Sequence, residues 1–194
     1  MAYVEVLCSH LSRVPQHELR CLDNDGFTDL PKLADKSVPE AVSAVRAHLE
    51  SIAAMRDRLD CAAHLFTCMA GLGVIGSWVL YRADRREDPT DIIGDILKKM
   101  RQRRVHGVFA KATENVCCTC LLVPEEERGR DFRPYLFVDW YTKPCVAIHE
   151  TPDIHSPLLE TVLRQTLGNP PRSYRCGVYR DLRSLYAGVL QLFP

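Results

Sequence analysis

The sequence predicts an α+β fold, with a helical N-terminal region followed by an antiparallel sheet and flanking helices. Three observations carry this. Apolar residues recur at helical spacing over roughly the first third of the chain, with a capping-box signal among them. β-favouring runs broken by turn residues occupy the stretch from Val105 to Glu150, and two capped apolar stripes then alternate with one further strand.

Val4, Leu7, Cys8 and Leu11 leave Glu5, Ser9, Ser12 and Arg13 on the polar side, so the chain opens with an amphipathic helix. Pro15 starts a second short turn, and Asp23-Asn24-Asp25-Gly26 reads as a loop. Ser37-Val38-Pro39-Glu40 places a capping box and a first-turn proline before a helix through Val42, Val45, Leu49 and Ile52. Cys61 to Tyr81 contains no Asp, Glu, Lys or Arg and reaches membrane-span length. His64, Thr67, Ser77 and three glycines argue against a span, and the segment is expected to form a buried helix or helix pair closing a small bundle. The charged break from Arg82 to Pro89 then marks the boundary between a helical bundle over 1–82 and an α+β domain over 88–194.

Thr90 caps a helix bearing Ile92, Ile93, Ile96, Leu97 and Met100, and Val105–Lys111 and Asn115–Val123 read as strands. Tyr135–Tyr141 and Cys145–Glu150, divided by Thr142-Lys143-Pro144, form a hairpin pattern. Ser156-Pro157 opens a helix striped by Leu158, Leu159, Val162, Leu163 and Leu167. Ser173–Tyr179 reads as a last strand. Asp181 caps a final helix carrying Leu182, Leu185, Tyr186, Val189 and Leu190, with Arg183 on its other face.

With 194 residues, 46% hydrophobic, the chain can bury one sizeable core or two small ones. Lysine and arginine total 25 and aspartate and glutamate total 25, so any nucleic-acid surface must be local rather than global. Nine cysteines without an even framework, and no signal-peptide pattern at the Met-Ala-Tyr-Val start, favour reduced thiols in the nucleus or cytosol. The densest basic run is Lys98-Lys99-Met100-Arg101-Gln102-Arg103-Arg104. It suits a phosphate-facing stripe, and it equally suits a solvated helix end whose cations complement the helix dipole.

Cys117-Cys118-Thr119-Cys120 with Cys145, His149 and His155 raises a zinc reading, but strand alternation and the missing Cys-x-x-Cys turn oppose a tetrahedral knuckle. A Cys145/His149 nucleophile pair lacks an orienting carboxylate, and no P-loop, GxGxxG, HExxH or GxSxG motif occurs. The expectation is a non-enzyme without a cofactor.

The words "RPYLFVDWYTKP" at 133–144, "SPLLETVL" at 156–163 and "DLRSLYAGVL" at 181–190 resemble the N-terminal half of the centromere protein N (CENP-N) family of the inner kinetochore. "ILKKM" at 96–100, "ATENV" at 112–116 and "RVPQHEL" at 13–19 extend the similarity, in the same order, over nearly the whole chain. The resemblance implies a pyrin-like (death-fold) bundle and a nuclear protein of the centromere that recognises nucleosomes carrying the centromeric histone variant, CENP-A. It implies that Glu5 reads an arginine of the histone loop, a task suited to a carboxylate because the guanidinium offers a planar fork of donors. It also implies that Arg13, Arg128, Arg133 and Arg183 hold the DNA backbone; apart from the resemblance, Arg130 joins them by its place in the glycine-relaxed RGRDFR loop, and Lys98, Lys99 and Arg101 of the basic run are further candidates.

Departures from the family pattern reduce that DNA footprint. Asp153-Ile154-His155 stands where the family has a basic pair, Leu185 where it has a second arginine, and Cys8 and Ser9 at two basic positions. Arg172 and Arg175 are candidates to compensate, with Lys32 and Lys36 as looser ones. The family is longer than this chain and its C-terminal half carries the contact with the paralogous partner CENP-L. Other inner-kinetochore subunits are expected partners and a membrane is not. The rival expectation is a kinetochore scaffold, similar to CENP-L, with no nucleosome contact.

Overall fold

The computed structural model describes residues 1–23, 30–82, 90–100, 107–124, 131–150, 157–167 and 174–193. Helical periodicity sets its N-terminal part. Helix α1 (Ala2–Leu11) buries Tyr3, Val4, Leu7, Cys8 and Leu11, the stripe expected from spacing. A 3-10 turn over Gln16–Leu22 follows Pro15. The Asp23 carboxylate then accepts the backbone N–H groups of Leu33 and Ala34, at 2.7 and 2.8 Å; the loop expected at Asp23-Asn24-Asp25-Gly26 lies, from residue 24 on, outside the described residues. Helix α2 (Val38–Ser51) starts at the predicted capping box, where the Ser37 N–H donates to the Glu40 carboxylate at 2.8 Å. Helix α3 (Met55–Gly71) is buried on all sides from Cys61 to Ala70.

The sheet has six strands: β1 (Trp78–Arg82), β2 (Gly107–Ala112), β3 (Val116–Pro124), β4 (Phe132–Trp140), β5 (Cys145–His149) and β6 (Arg175–Tyr179). Their spatial order is β2-β3-β4-β5-β1-β6 and every neighbouring pair is antiparallel. Helices α4 (Thr90–Met100), α5 (Pro157–Leu167) and α6 (Leu182–Leu192) complete the described fold, which is α+β. Asp181 caps α6 as its position predicts, accepting the Ser184 N–H at 2.7 Å.

Both faces of the sheet are covered. Trp78, Leu80, Leu122, Leu136, Val138 and Ala147 join a core with α1, α2, α3 and α6. Val79, Leu121, Tyr135, Phe137, Val146 and Ile148 face the other way, under Ile96 and Met100 of α4 and Leu159, Val162 and Leu163 of α5. Completely burying a side chain such as Phe137 contributes roughly 2 kcal/mol.

One expectation is corrected. The apolar segment Cys61–Tyr81 is neither a single helix nor a helix pair: α3 ends at Gly71, Gly73 turns with φ +73°, and Trp78–Arg82 is a strand. Its residues are buried on alternate sides, so an interior strand shows no polar alternation and its apolar run merges with that of α3. The sheet therefore takes an interior strand from the segment assigned to the helical bundle. The charged segment 83–89, the expected boundary between 1–82 and 88–194, lies outside the described residues. Among the described residues no helix is long and apolar enough to cross a membrane.

Helix α3 lies directly on β2, where the Asp60 carboxylate accepts the Val108 N–H at 2.9 Å. A Cβ on Gly107 would come within 2.5 Å of the Leu59 backbone. Gly107→Ala is expected to push α3 off the sheet edge and destabilise the protein by about 2 kcal/mol, read as a shift in the urea midpoint.

Asp139 is the exception in the apolar pattern of β4. It is 6% exposed, opposite Cys117 and Val146, and one of its carboxylate oxygens has no partner among the described residues. Burial pushes its carboxyl up to about 6 from 3.8. The stabilising protonated state is complete below pH 3.8 and lost as pH rises through 6. Asp139→Asn is therefore expected to stabilise the protein at pH 8 by roughly 2 kcal/mol and to have little effect at pH 4, measured by denaturant titration at both values.

Candidate functional site

Strand register gathers the site at one end of the sheet. Trp78 lies opposite both His149 and Tyr179, Phe132 opposite Pro124, and Gly107 opposite Leu122. That end therefore collects the starts of β1, β2 and β4 and the ends of β3, β5 and β6. Helix α1 runs across it. The Tyr3 ring meets Phe132 at 6.0 Å near the helix start, and the His10 ring meets His149 at 6.3 Å near its finish.

Three predicted arginines fall at this end, from elements distant in sequence. Arg13 comes just after α1 and is exposed, and its charge is felt by His149. Arg133 is the second residue of β4, opposite Val123, and by register shares the face of Tyr135 and Phe137. Arg183 is exposed in the first turn of α6, just beyond β6. Arg180, which sequence reasoning passed over, sits beside it with its side chain 91% exposed and its Nε donating to Asp181 at 3.0 Å. Its signal was adjacency to the Asp-Leu-Arg word alone.

The other candidates divide. Arg128, Arg130 and Arg101 lie outside the described residues, as does Arg172. Lys98 is exposed on α4, whereas the Lys99 ammonium donates to the Thr166 hydroxyl of α5 at 3.2 Å and ties those helices together. Arg175 sits at the opposite end of the sheet, paired with Tyr81. Lys32 is exposed and Lys36 half-buried ahead of α2. Cys145 and His149 are four residues apart on one extended strand, about 13 Å by strand rise, and cannot act on one another directly. Among the described residues no group of three or more His, Cys, Asp or Glu is placed to hold a metal ion.

Glu5 projects from α1 with its side chain 62% exposed, and it is not bare. Arg46 of α2 clasps it through both terminal nitrogens, Nη1 to Oε1 and Nη2 to Oε2, the latter at 2.8 Å. This hydrogen bonding holds the Glu5 carboxyl below the usual range. Arg46 escaped sequence reasoning because no local pattern links residues so far apart in the chain.

Beneath Arg13 lies a histidine pair. The Arg13 guanidinium donates to His10 Nδ1, and because arginine offers only donors, His10 must present a bare Nδ1 there. His149 Nδ1 donates to the Ser77 carbonyl at 3.2 Å. Burial, then the Arg13 charge and His149, lowers His10 from 6.5 to about 4, against a backbone hydrogen bond to Val74. Burial likewise lowers His149, against hydrogen bonds to the Ser77 and Gly76 backbone. Both rings are thus held neutral at pH 7, and Arg13 is aimed by a neutral imidazole.

The fold and this end of the sheet define an α+β protein that presents arginines from separate elements on both faces of one sheet end, one of which α1 covers. No family model matches the chain, and no curated protein is significantly similar to it.

The stability contributed by neutral His10 is complete above pH 6.5 and lost as pH falls through 4. Asp139 acts with the opposite sign in an overlapping window. Comparison of His10→Gln with the parent isolates the histidine: between pH 7 and pH 5 the variant is expected to lose about 1 kcal/mol less stability in denaturant titrations.

Proposed function

We propose that this chain is an inner-kinetochore nucleosome reader similar to CENP-N, acting in the nucleus at the centromere. In this reading α1, α2, α3 and the 3-10 turn form a pyrin-like (death-fold) arrangement, and the sheet with α4, α5 and α6 forms the region shared by CENP-N and CENP-L. Glu5 reads an arginine of the CENP-A loop, while Arg13, Arg133 and Arg183, joined by Arg128 and Arg130, hold adjacent DNA. The observation that supports it is the placement of Arg13 and Arg183 at one end of the sheet, on the face that α1, the helix carrying Glu5, covers, with Arg133 at the same end on the opposite face. Arginines set on separate elements suit phosphate contacts, which carry affinity and salt dependence without sequence information. Histone contact then supplies the specificity. CENP-L is a partner in this reading.

One observation favours a second reading, a CENP-L-like scaffold without nucleosome contact. Among the described residues strand β6 has no partner on its outer edge, Val178 on the Val79 face is 58% exposed, and Leu190 on α6, which packs on the other face, is 68% exposed. An unpaired edge with exposed apolar residues near it suits protein assembly.

Binding to reconstituted nucleosomes carrying either CENP-A or the ordinary histone separates the two. Glu5→Ala is expected to abolish the preference for CENP-A nucleosomes. Arg133→Ala should weaken both kinds alike and reduce the salt slope of log K by about 0.9. Absence of binding to either nucleosome at low salt would leave the scaffold reading.

A further inference from the structure

The pairing of Glu5 with Arg46 has the form of the contact that the nucleosome reading requires of Glu5 with a partner. Both carboxylate oxygens are already occupied by two donors of one guanidinium. The pair joins two helices, and its side chains are 62% and 35% exposed, so a second guanidinium can approach the carboxylate from solvent. Arg46 also has somewhere to go. Glu50 stands one turn further along α2, at i,i+4, and already acts on the Arg46 charge.

Resting on the nucleosome reading, we infer that Arg46 is a resident competitor for Glu5: a partner arginine docks by exchanging with the Arg46 guanidinium, which moves to Glu50. Arg46 thereby sets which partners Glu5 accepts. The exchange keeps two charge-assisted hydrogen bonds on the carboxylate only when the incoming group is itself a planar fork. A lysine ammonium is a point donor and leaves one carboxylate oxygen without its partner. An unguarded carboxylate would attract either cation, whereas a carboxylate already clasped accepts only the group that replaces the whole clasp. The specificity-determining residue is then Arg46, although it touches the partner only by leaving.

The test uses nucleosomes carrying CENP-A, CENP-A with its loop arginine replaced by lysine, or the ordinary histone. The parent chain is compared with Arg46→Ala, Glu50→Ala and the double variant Glu5→Ala/Arg46→Ala, with thermal melting of each. Arg46→Ala is expected to bind CENP-A nucleosomes about threefold tighter, since an exposed pair is a weak competitor, and to gain more on the lysine loop, narrowing the discrimination. Glu50→Ala keeps the clasp intact and is expected to weaken CENP-A binding by about twofold, because the displaced Arg46 loses its alternative partner. The double variant should behave as Glu5→Ala alone. If the parent prefers CENP-A and Arg46→Ala binds it no tighter with an unchanged melting temperature, the exchange is overturned and the reader stands. If Arg46→Ala melts early, Glu50→Ala decides, and unchanged binding there overturns the exchange. If the parent shows no preference for CENP-A, the reader and the exchange fall together.

Discussion

Strand β1 cannot be stable by itself. Its Trp78 and Leu80 belong to one core and its Val79 and Tyr81 to the other, so it needs cover on both faces and a partner along each edge. The chain enters it through Ser77 at φ +69°, a conformation that costs a non-glycine residue on the order of 1–3 kcal/mol. Three bonds hold it there. The Ser77 carbonyl accepts the Glu150 N–H at 3.0 Å and His149 Nδ1, and the Ser77 N–H donates to the Arg180 carbonyl at 3.3 Å. The connector from α3, the end of β5 and the end of β6 are thus stitched at one point. The relative placement of Arg13, Arg180 and Arg183 depends on that stitch.

Most of the fold was legible because its elements announce themselves locally. The Ser37/Glu40 box, the Asp181 cap, the helical stripe of α1 and the turn at Thr142-Lys143-Pro144 are short-range devices, and each stands where its residues predict. Strand β1 was misread because burial on both faces erases the alternation that identifies a strand. Its assignment needed β5 and β6, which lie much later in the chain and leave no trace near residue 78.

The site divides along the same line. Residue type and family resemblance single out Glu5, Arg13, Arg133 and Arg183, but neither says what a charged side chain does before a partner arrives. Arg46 on Glu5, His149 beside His10 and Thr166 on Lys99 are contacts between separate elements. Only the fold brings them together. The opposite placement of Arg175 follows equally from sheet register, since β6 runs its length between Arg175 and the end that holds Arg180.

The late arrival of the partners of β1 has a consequence for how the molecule comes into being. On a growing chain, the helical part emerges early, yet residues 78–82 have no sheet to enter until β5 and then β6 have left the ribosome. Closing that long loop is a late and slow step. Meanwhile Trp78–Arg82 and the side of α3 that will meet the sheet lack their cover, and exposed apolar surface of this kind is prone to associate with neighbouring chains. Completion of the sheet therefore waits on β5 and β6, not on the helical part that precedes them.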